Sequence, residues 1–459
     1  MTPQEWIEES KDKLLSELKE FLTFPSISVQ PAHRGDLRKA AEWLQQKLVS
    51  LGFRVEMLGD PPVVHGFYQG PSGSPTALFY GHYDVQPPEP LEEWESPPFE
   101  PKVTEKAIYA RGASDDKGQV FMHLAAWRFY VERRGGIPLS LHVVIEGEEE
   151  TGSKVLSEIL QREGARWRSD VVIVSDTAFF DEDIPTLTVG LRGLLYTEIR
   201  VRGPKRDLHS GSLGGIVENP AIALAYILAN LKGPDGRVKI PGFYESVRPP
   251  SAEEVAAWRQ LPANETYYLG ITGAPALAGE VGFSPIERVS IRPTLDVNGM
   301  WSGYTGPGSK TIIPAEAGAK VSMRLVPEQE PMKIWEAYKD FILSLAPAGV
   351  EVSVSQLHEP TPAFETSTNS PFYKAAEEAI ARTFGKRPIP LREGGSIPIL
   401  NAFRQALGGV PVILMGFGLL SDKVHSPNEH FRLSQLWRGI EALIQWYSLV
   451  SKPSSLLAE

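Results

Sequence analysis

The stretch TALFYGHYD, residues 76–84, is an apolar run that ends in a histidine and an aspartate. Three further runs have the same plan: LSLHVVIEG (139–147) before Glu148–Glu150, DVVIVS (170–175) before Asp176, and VPVILMGFG (410–418) before His425. Such runs predict strands buried on both faces of an open α/β sheet, whose ligands gather beyond the carboxyl ends of the strands. The ordering predicts a metal site there, although each acid alone is also a common turn former or helix cap.

The pattern along the chain predicts two domains, as expected for 459 residues. Residues 1–190 alternate helical stretches with apolar strands, and this pattern resumes over 366–459. We therefore expect an α/β catalytic domain with a doubly wound, mostly parallel sheet. Residues 191–365 combine strands of alternating polarity with two helical stretches, which predicts an inserted two-layer α+β domain.

The composition excludes several classes of function. A net charge of -11 without a block of lysines or arginines argues against a nucleic-acid partner. The chain has no cysteine, so only His, Asp and Glu could hold a metal ion. No window approaches the roughly 18 apolar residues of a membrane span, and the amphipathic N-terminal stretch does not resemble a signal peptide, so we expect a cytoplasmic protein.

The acidic residues occur in spacings that suit metal binding. The paired carboxylates Asp115 and Asp116 could bridge two cations, cap the helix that follows, or do both. The i, i+2 spacing of His82 and Asp84 allows the aspartate to orient the imidazole. Neighbouring side chains of Glu148–Glu150 should point to opposite sides near a strand end, so that one binds a cation while the next addresses a water.

Two other features have simpler interpretations. The proline-rich stretch 86–101 is expected to form an ordered loop at the rim of the site, anchored by Trp94 and Phe99. The remaining histidines, apart from the one in DLHSG, lack a carboxylate at an informative spacing and are expected to be structural: His33, His65, His123, His142, His358 and His430.

Seven motifs in order give the chain a family resemblance: GHYDVQP, ARGASDDKG, EGEEETGS, SDT, DLHSG, REGGSIP and HSPNE. The chain resembles, over essentially its whole length, the two-zinc metallopeptidases and deacylases that include carnosinases, cytosolic dipeptidases, aminoacylases and glutamate carboxypeptidases. DLHSG and REGGSIP fit the carnosinase-like dipeptidase branch. The resemblance implies that residues 191–365 serve as a lid and dimerisation domain.

The resemblance also implies a set of metal-binding residues. Asp115 would bridge two zinc ions, one completed by His82 and Asp176 and the other by Glu150 and His425. Two Zn²⁺ ions, three carboxylates and one bridging hydroxide sum to neutrality, as a buried site requires. Mn²⁺ or Co²⁺ would also suit these ligands. A cis peptide bond between Asp115 and Asp116 is implied as well.

Catalytic and substrate-binding roles follow from the same resemblance. Glu149 would be the general base, and Asp84 would hold His82. His209 would reach across a homodimer to stabilise the oxyanion. Residues near the substrate carboxylate would be Arg324, Thr311, Gly394, Gly395 and Ser396. Arg324 could equally be an ordinary strand arginine, and the glycines could simply form a turn.

We therefore expect a metal-dependent dipeptidase that hydrolyses short peptides with a free C-terminal carboxylate, through a hydroxide between the metals and a glutamate base. An N-acyl amino-acid deacylase with the same chemistry is the main alternative. A non-catalytic binding scaffold would be expected to lose a metal ligand or the general base. Here all five ligand positions and Glu149 are intact. A two-metal phosphoesterase would need cationic phosphate clamps, and only Lys117 lies close in sequence.

Overall fold

The computed structural model describes residues 1–452, which form 13 α-helices and 20 β-strands. The helices are α1 Pro3–Leu22, α2 Arg34–Ser50, α3 Lys117–Arg133, α4 Lys154–Glu163, α5 Ser210–Leu213, α6 Pro220–Ala229, α7 Ala252–Trp258, α8 Glu265–Thr272, α9 Pro285–Ser290, α10 Pro331–Ser344, α11 Pro371–Phe384, α12 Ile399–Ala406 and α13 Leu433–Val450. Over this range, we find no helix with both the length and the apolar character that crossing a bilayer requires.

The strands are β1 Arg54–Leu58, β2 Val63–Tyr68, β3 Thr76–His82, β4 Lys102–Val103, β5 Ala107–Tyr109, β6 Ser140–Glu146, β7 Val171–Val174, β8 Ala178–Phe179, β9 Thr186–Leu191, β10 Gly193–Arg202, β11 Leu208–His209, β12 Thr294–Ser302, β13 Ile312–Ile313, β14 Glu316–Leu325, β15 Glu351–Gln356, β16 Phe364–Glu365, β17 Ile389–Glu393, β18 Val412–Leu414, β19 Gly418–Leu419 and β20 His430–Arg432. Together these elements divide into two compact units. Within the described residues, the first unit comprises 1–189, 366–391 and 397–452, and the second comprises 190–365 and 392–396.

The larger sheet of the first unit has the strand order β1-β2-β6-β3-β7-β18-β9, with β17 also paired to β9. Its centre is parallel: β3 runs parallel to β6 and β7, and β7 runs parallel to β18. The edge strands β1 and β2 are antiparallel. Every residue of β6 and β7 is buried, which explains why both strands are continuous apolar runs in the sequence. The predicted mostly parallel sheet is confirmed.

Helices cover both faces of this sheet. Phe79 and Tyr80 are consecutive on β3, so their rings point to opposite faces. Phe79 packs against the imidazole of His123 and the indole of Trp127 on α3, with ring centroids 3.9 and 5.5 Å away. Tyr80 packs against Phe403 on α12 at 5.2 Å. This arrangement confirms the doubly wound class.

The second unit is a two-layer α+β structure, as predicted. Its sheet has the order β12-β14-β10-β15, and each neighbouring pair is antiparallel. Side chains of β10 alternate between buried and less buried positions, and α6 and α10 contribute to the core with the buried ones. The short helices α7, α8 and α9 are absent from the sequence-based prediction, because six to eight residues show too little periodicity.

Candidate metal centre

Strand register brings two of the predicted ligands together. Tyr80 of β3 pairs with Val174 of β7, so two residues further on, His82 and Asp176 leave the same edge of the sheet. The imidazole Nε2 of His82 lies 3.8 Å from a carboxylate oxygen of Asp176. This proximity follows from the parallel pairing of two buried strands.

Asp115 joins this pair to a second pair of ligands. Its Oδ1 lies 3.1 Å from Nε2 of His82, and its Oδ2 lies 2.8 Å from Nε2 of His425. His425 Nε2 is in turn 3.3 Å from Oε1 of Glu150. The five predicted ligands thus form two groups that could each hold a metal ion, His82–Asp115–Asp176 and Asp115–Glu150–His425, with Asp115 shared.

The loop that carries Asp115 depends on close backbone packing. Asp115 follows β5, which belongs to a separate three-stranded sheet, β20-β5-β4, rather than to the large sheet. A Cβ on Gly118 would lie 1.9 Å from the carbonyl oxygen of Ala113, so only glycine fits there. The peptide bond between Asp115 and Asp116 is cis, as the resemblance implied. Asp116 occupies the N-cap position of α3, while its Oδ2 accepts a hydrogen bond from the backbone N–H of His82 at 3.2 Å.

Asp84 orients more than the histidine. The Nδ1 of His82 lies 3.1 Å from the Asp84 carbonyl oxygen and 3.3 Å from its carboxylate. The same carboxylate accepts hydrogen bonds from the backbone N–H groups of Glu149 at 3.2 Å and Glu150 at 3.1 Å. Asp84 therefore fixes the turn that presents both glutamates.

The consecutive glutamates Glu148–Glu150 make different contacts. The predicted reason, that neighbouring side chains alternate at a strand end, was wrong. Glu149–Thr151 form a turn of 3-10 helix rather than the end of a strand. The carboxylate of Glu148 accepts a hydrogen bond from the N–H of Val155 at 2.9 Å in the first turn of α4. Glu150 accepts one from the amide of Gln86 at 2.7 Å. Only the last two glutamates are therefore available to the metal centre.

Burial and mutual repulsion shape the electrostatics of the cluster. Burial, reinforced by neighbouring carboxylates, raises the pKa of Glu149, Glu150 and Asp176. Burial opposes protonation of His82 and His425, but Asp115 and other carboxylates outweigh it. The pKa of His425 rises to about 10, and that of His82 rises well above its usual value. Without a cation, the cluster therefore binds protons at neutral pH.

These residues fit a divalent cation. Nε2 of His82 and Oε1 of Glu150 are buried, and neither makes a well-aligned hydrogen bond within the described residues 1–452, although Asp115 and His425 lie 3.1 and 3.3 Å away. Buried polar atoms rarely lack such a bond, and a cation shared with the neighbouring residue would fit each. Imidazole nitrogen with carboxylate oxygen is a donor set that suits zinc, manganese or cobalt.

The family assignment follows from the sequence comparison. The sequence model of peptidase family M20/M25/M40 matches residues 78–448, a span that contains all five candidate ligands. The chain belongs to this family.

Related proteins agree with the assignment. Cys-Gly metallodipeptidase dug1 of Schizosaccharomyces pombe is 30% identical to this peptidase over 95% of each chain. Beta-Ala-His dipeptidase of Mus musculus is 28% identical over 98% of this chain and 95% of its own. The solved structure of the dipeptidase Dug1p from Saccharomyces cerevisiae matches with a TM-score of 0.87 and 27% identity over 98% of each chain. The predicted metal-dependent dipeptidase is confirmed.

The remaining predicted residues lie in the second unit of the peptidase. The guanidinium of Arg324, on β14, donates from Nη1 to the hydroxyl of Ser396 at 2.8 Å, and Ser396 donates to the carbonyl of Arg192. Arg192 also donates two hydrogen bonds to this loop. Its backbone N–H donates to the Gly395 carbonyl at 3.0 Å, and its side-chain Nε donates to the Gly394 carbonyl at 3.2 Å. The structure thus brings Arg324 and the loop 394–396 together.

His209 and Thr311 form a second small group in that unit. β11, which ends at His209, pairs with β13, which begins directly after Thr311. The carbonyl of Thr311 accepts a hydrogen bond from the N–H of Ser210 at 3.1 Å. The imidazole of His209 is exposed, and its Nδ1 accepts hydrogen bonds from the N–H groups of Gly211 and Ser212 at 3.0 and 3.2 Å.

Several supporting residues were not identified from the sequence. Gln86, which binds Glu150, and the buried ion pair between Arg111 and Glu429 lie inside the quoted motifs, so the motifs themselves were the available signal. His123 is buried between the hydroxyls of Tyr447 and Ser175, as expected of a structural histidine.

Two details of the sequence interpretation need correction or extension. His33 and His65 do have carboxylate partners, Asp36 at 3.0 Å and Glu56 at 2.8 Å, although neither histidine lies in a candidate metal group. In the proline-rich loop, the indole of Trp94 donates to the carbonyl of Pro88 at 2.7 Å, which makes it an internal anchor.

Metal binding should release protons, because His82 and His425 must lose a proton to act as ligands. We expect the zinc-binding enthalpy of metal-free protein to change with the ionisation enthalpy of the buffer. Since the pKa of His425 is raised to about 10, affinity should increase with pH over about pH 6–8. Isothermal titration calorimetry in two buffers measures the number of protons released, and repeating it across this pH range measures the change in affinity. His425→Ala is the control and should release fewer protons on zinc binding. Equal enthalpies in both buffers would contradict this description of the cluster.

Proposed function

We propose that this dipeptidase cleaves short peptides that have a free C-terminal carboxylate and that each subunit holds two zinc ions, with manganese or cobalt as alternatives. The shared carboxylate of Asp115 supports this proposal most directly, since its two oxygens face two separate ligand groups. The three named relatives are all dipeptidases, which supports dipeptides as the substrate class. Residence in the cytoplasm stays a prediction.

In this proposal, one ion is held by His82 and Asp176, the other by Glu150 and His425, and both by Asp115. When bound, the ions would polarise the substrate carbonyl and lower the pKa of a water molecule. Three of the five ligands are carboxylates, so they offset most of the charge of two divalent ions.

Glu149 is proposed as the general base. Its backbone is anchored by Asp84, and burial with neighbouring carboxylates raises its pKa. A carboxylate of raised pKa can take a proton from the attacking water and hand it to the nitrogen of the leaving amine. Glu148, although adjacent, is committed to the N-terminus of α4 and cannot share this task.

The second unit is proposed to bind the substrate carboxylate. Arg324 uses one N–H to hold Ser396, which leaves the rest of its planar fork for a carboxylate. Gly394 and Gly395 allow a close approach to the backbone of this loop, and Thr311 adds a hydroxyl. A free C-terminal carboxylate is therefore a required feature of the proposed substrate.

His209 is proposed to stabilise the oxyanion of a second subunit. Because its Nδ1 accepts two backbone hydrogen bonds, the ring is held in the tautomer that carries its proton on Nε2. An exposed imidazole whose Nε2–H points away from these backbone bonds is the kind of donor that an oxyanion needs.

The surface of α6 supports a homodimer formed through the second unit. Its inner residues Ala223, Leu224 and Ile227 are buried in the core. The opposite face is also apolar: Ile222 is 64% and Tyr226 is 53% exposed, with Ala225 and Ala229 beside them. A helix that is apolar on all sides is normally covered, and a symmetric partner would cover this one.

The substrate proposal is tested with a panel of dipeptides, their C-terminal amides and N-acetyl amino acids. We expect zinc-loaded protein to hydrolyse dipeptides, including Cys-Gly and β-Ala-His, and to lose most activity on the amides because Arg324 lacks its partner. Values of kcat/KM would be compared with those of metal-free protein as the control. Preference for N-acetyl amino acids would favour the deacylase, and full activity on amides would contradict the carboxylate requirement.

Replacing the base separates catalysis from metal binding. Glu149→Gln should bind zinc like the wild type but lower kcat by about 10²- to 10⁴-fold, because the amide cannot accept the proton. Steady-state kinetics and metal content by atomic emission would measure the two effects. Glu148→Gln is the matched control and should keep nearly normal kcat. Normal turnover of Glu149→Gln would remove this residue from the role of base.

A mixing experiment tests whether His209 serves the other subunit. His209→Ala and Glu149→Gln should each be inactive alone, whereas their mixed dimer contains one site with both residues intact. After subunit exchange, we expect recovery of up to about a quarter of wild-type turnover, since half of the dimers are mixed and each has one complete site. Each variant taken alone through the same exchange is the control. If activity does not recover although mixed dimers form, His209 does not act across subunits.

A further inference from the structure

Glu429 is a buried carboxylate that the chemistry above does not use. Its side chain is fully buried, and it receives four hydrogen bonds. Oε2 accepts from the guanidinium of Arg111 at 2.8 Å and from the N–H of Gly112 at 3.0 Å. Oε1 accepts from the N–H groups of Ser114 at 3.0 Å and Asp115 at 3.1 Å. Both oxygens are therefore saturated by one short loop.

This loop carries the aspartate that faces both ligand groups. Glu429 binds the backbone of Asp115 itself, so it restrains the residue from which the shared carboxylate projects. Glu429 also lies four residues after His425, in the segment that brings in another ligand. One buried side chain thus connects two loops that are about 310 residues apart in sequence and that meet at the metal centre.

The segment that contains His425 and Glu429 makes further hydrogen bonds through Asn428. Asn428 accepts a hydrogen bond from the N–H of Glu95 and donates one to the carbonyl of Glu93, both at 2.8 Å. Arg111 donates to the carbonyl of Pro87 at 3.2 Å. These contacts tie the segment to the proline-rich loop 86–101 and limit the movement of His425.

We propose that Glu429 is a positioning residue that holds Asp115 and His425 in register, so that the two metal sites form as one unit. The proposal rests on the metal centre described above. Charge and hydrogen bonding are both needed: an amide in place of the carboxylate would turn an N–H₂ group towards two N–H donors. Outer residues of this kind typically change metal affinity by roughly 10- to 100-fold when they are replaced.

The test compares zinc affinities of the folded proteins by competition with a chromogenic chelator. Glu429→Gln should bind zinc roughly 10- to 100-fold more weakly at both sites. The matched control is Glu441→Gln, the same chemical change at a mostly buried glutamate on α13, which pairs with Gln4 instead of the loops. The control should bind zinc like the wild type.

Stability measured without metal separates positioning from a purely structural role. A structural role alone would lower the free energy of unfolding and leave the affinity of the folded protein unchanged, and this result would overturn the proposal. If Glu429→Gln does not fold, Glu429→Asp keeps the charge but shortens the reach; wild-type affinity in that variant would likewise overturn it. Failure of the wild type itself to bind zinc would instead contradict the metal centre.

Discussion

Mutual repulsion among buried carboxylates of the candidate metal centre is the main physical constraint on this structure. Asp115, Glu149, Glu150 and Asp176 converge at one edge of the larger sheet, where burial raises the pKa of the last three. Such a group is stable only when protons or cations balance its charge. Two histidines already contact Asp115, and cations bound by the two ligand groups that share Asp115 would complete the balance.

Two further buried carboxylates, Asp84 and Glu429, hold the loops that carry this cluster by accepting hydrogen bonds from backbone N–H groups. Asp84 accepts two of them from the turn that presents Glu149 and Glu150. Glu429 accepts three from the loop that presents Asp115. Each of these carboxylates is itself buried, and each has its charge met by donors that belong to a loop. These hydrogen bonds restrain irregular loops, which a metal site of defined geometry requires.

The second unit carries the complementary chemistry. Arg324, Arg192 and the loop 394–396 form a cationic, hydrogen-bonding group, and the Nδ1 of His209 accepts backbone hydrogen bonds. Neither feature needs a metal ion. In the proposed function, these residues would recognise a carboxylate and developing negative charge, while the candidate metal ligands would serve to activate water and the carbonyl.

Much of this arrangement could be predicted from the sequence, because the signals are local. Continuous apolar runs indicate buried parallel strands, alternation in β10 indicates a one-sided sheet, and ligands directly after a strand end indicate the site. The candidate ligands are also explicit in the motifs, from His82 to His425. These features depend on residues that are neighbours in the chain.

Only the tertiary structure gave the physical reason why neighbouring acids make different contacts. Glu148 caps α4 while Glu149 and Glu150 face the cluster, and this difference arises from the turn that Asp84 holds 65 residues away. Arg111 and Glu429, which form a buried ion pair, are likewise 318 residues apart. Hydrogen bonding between such distant segments depends on how the strands and loops pack in space, and no local pattern of residue types encodes it.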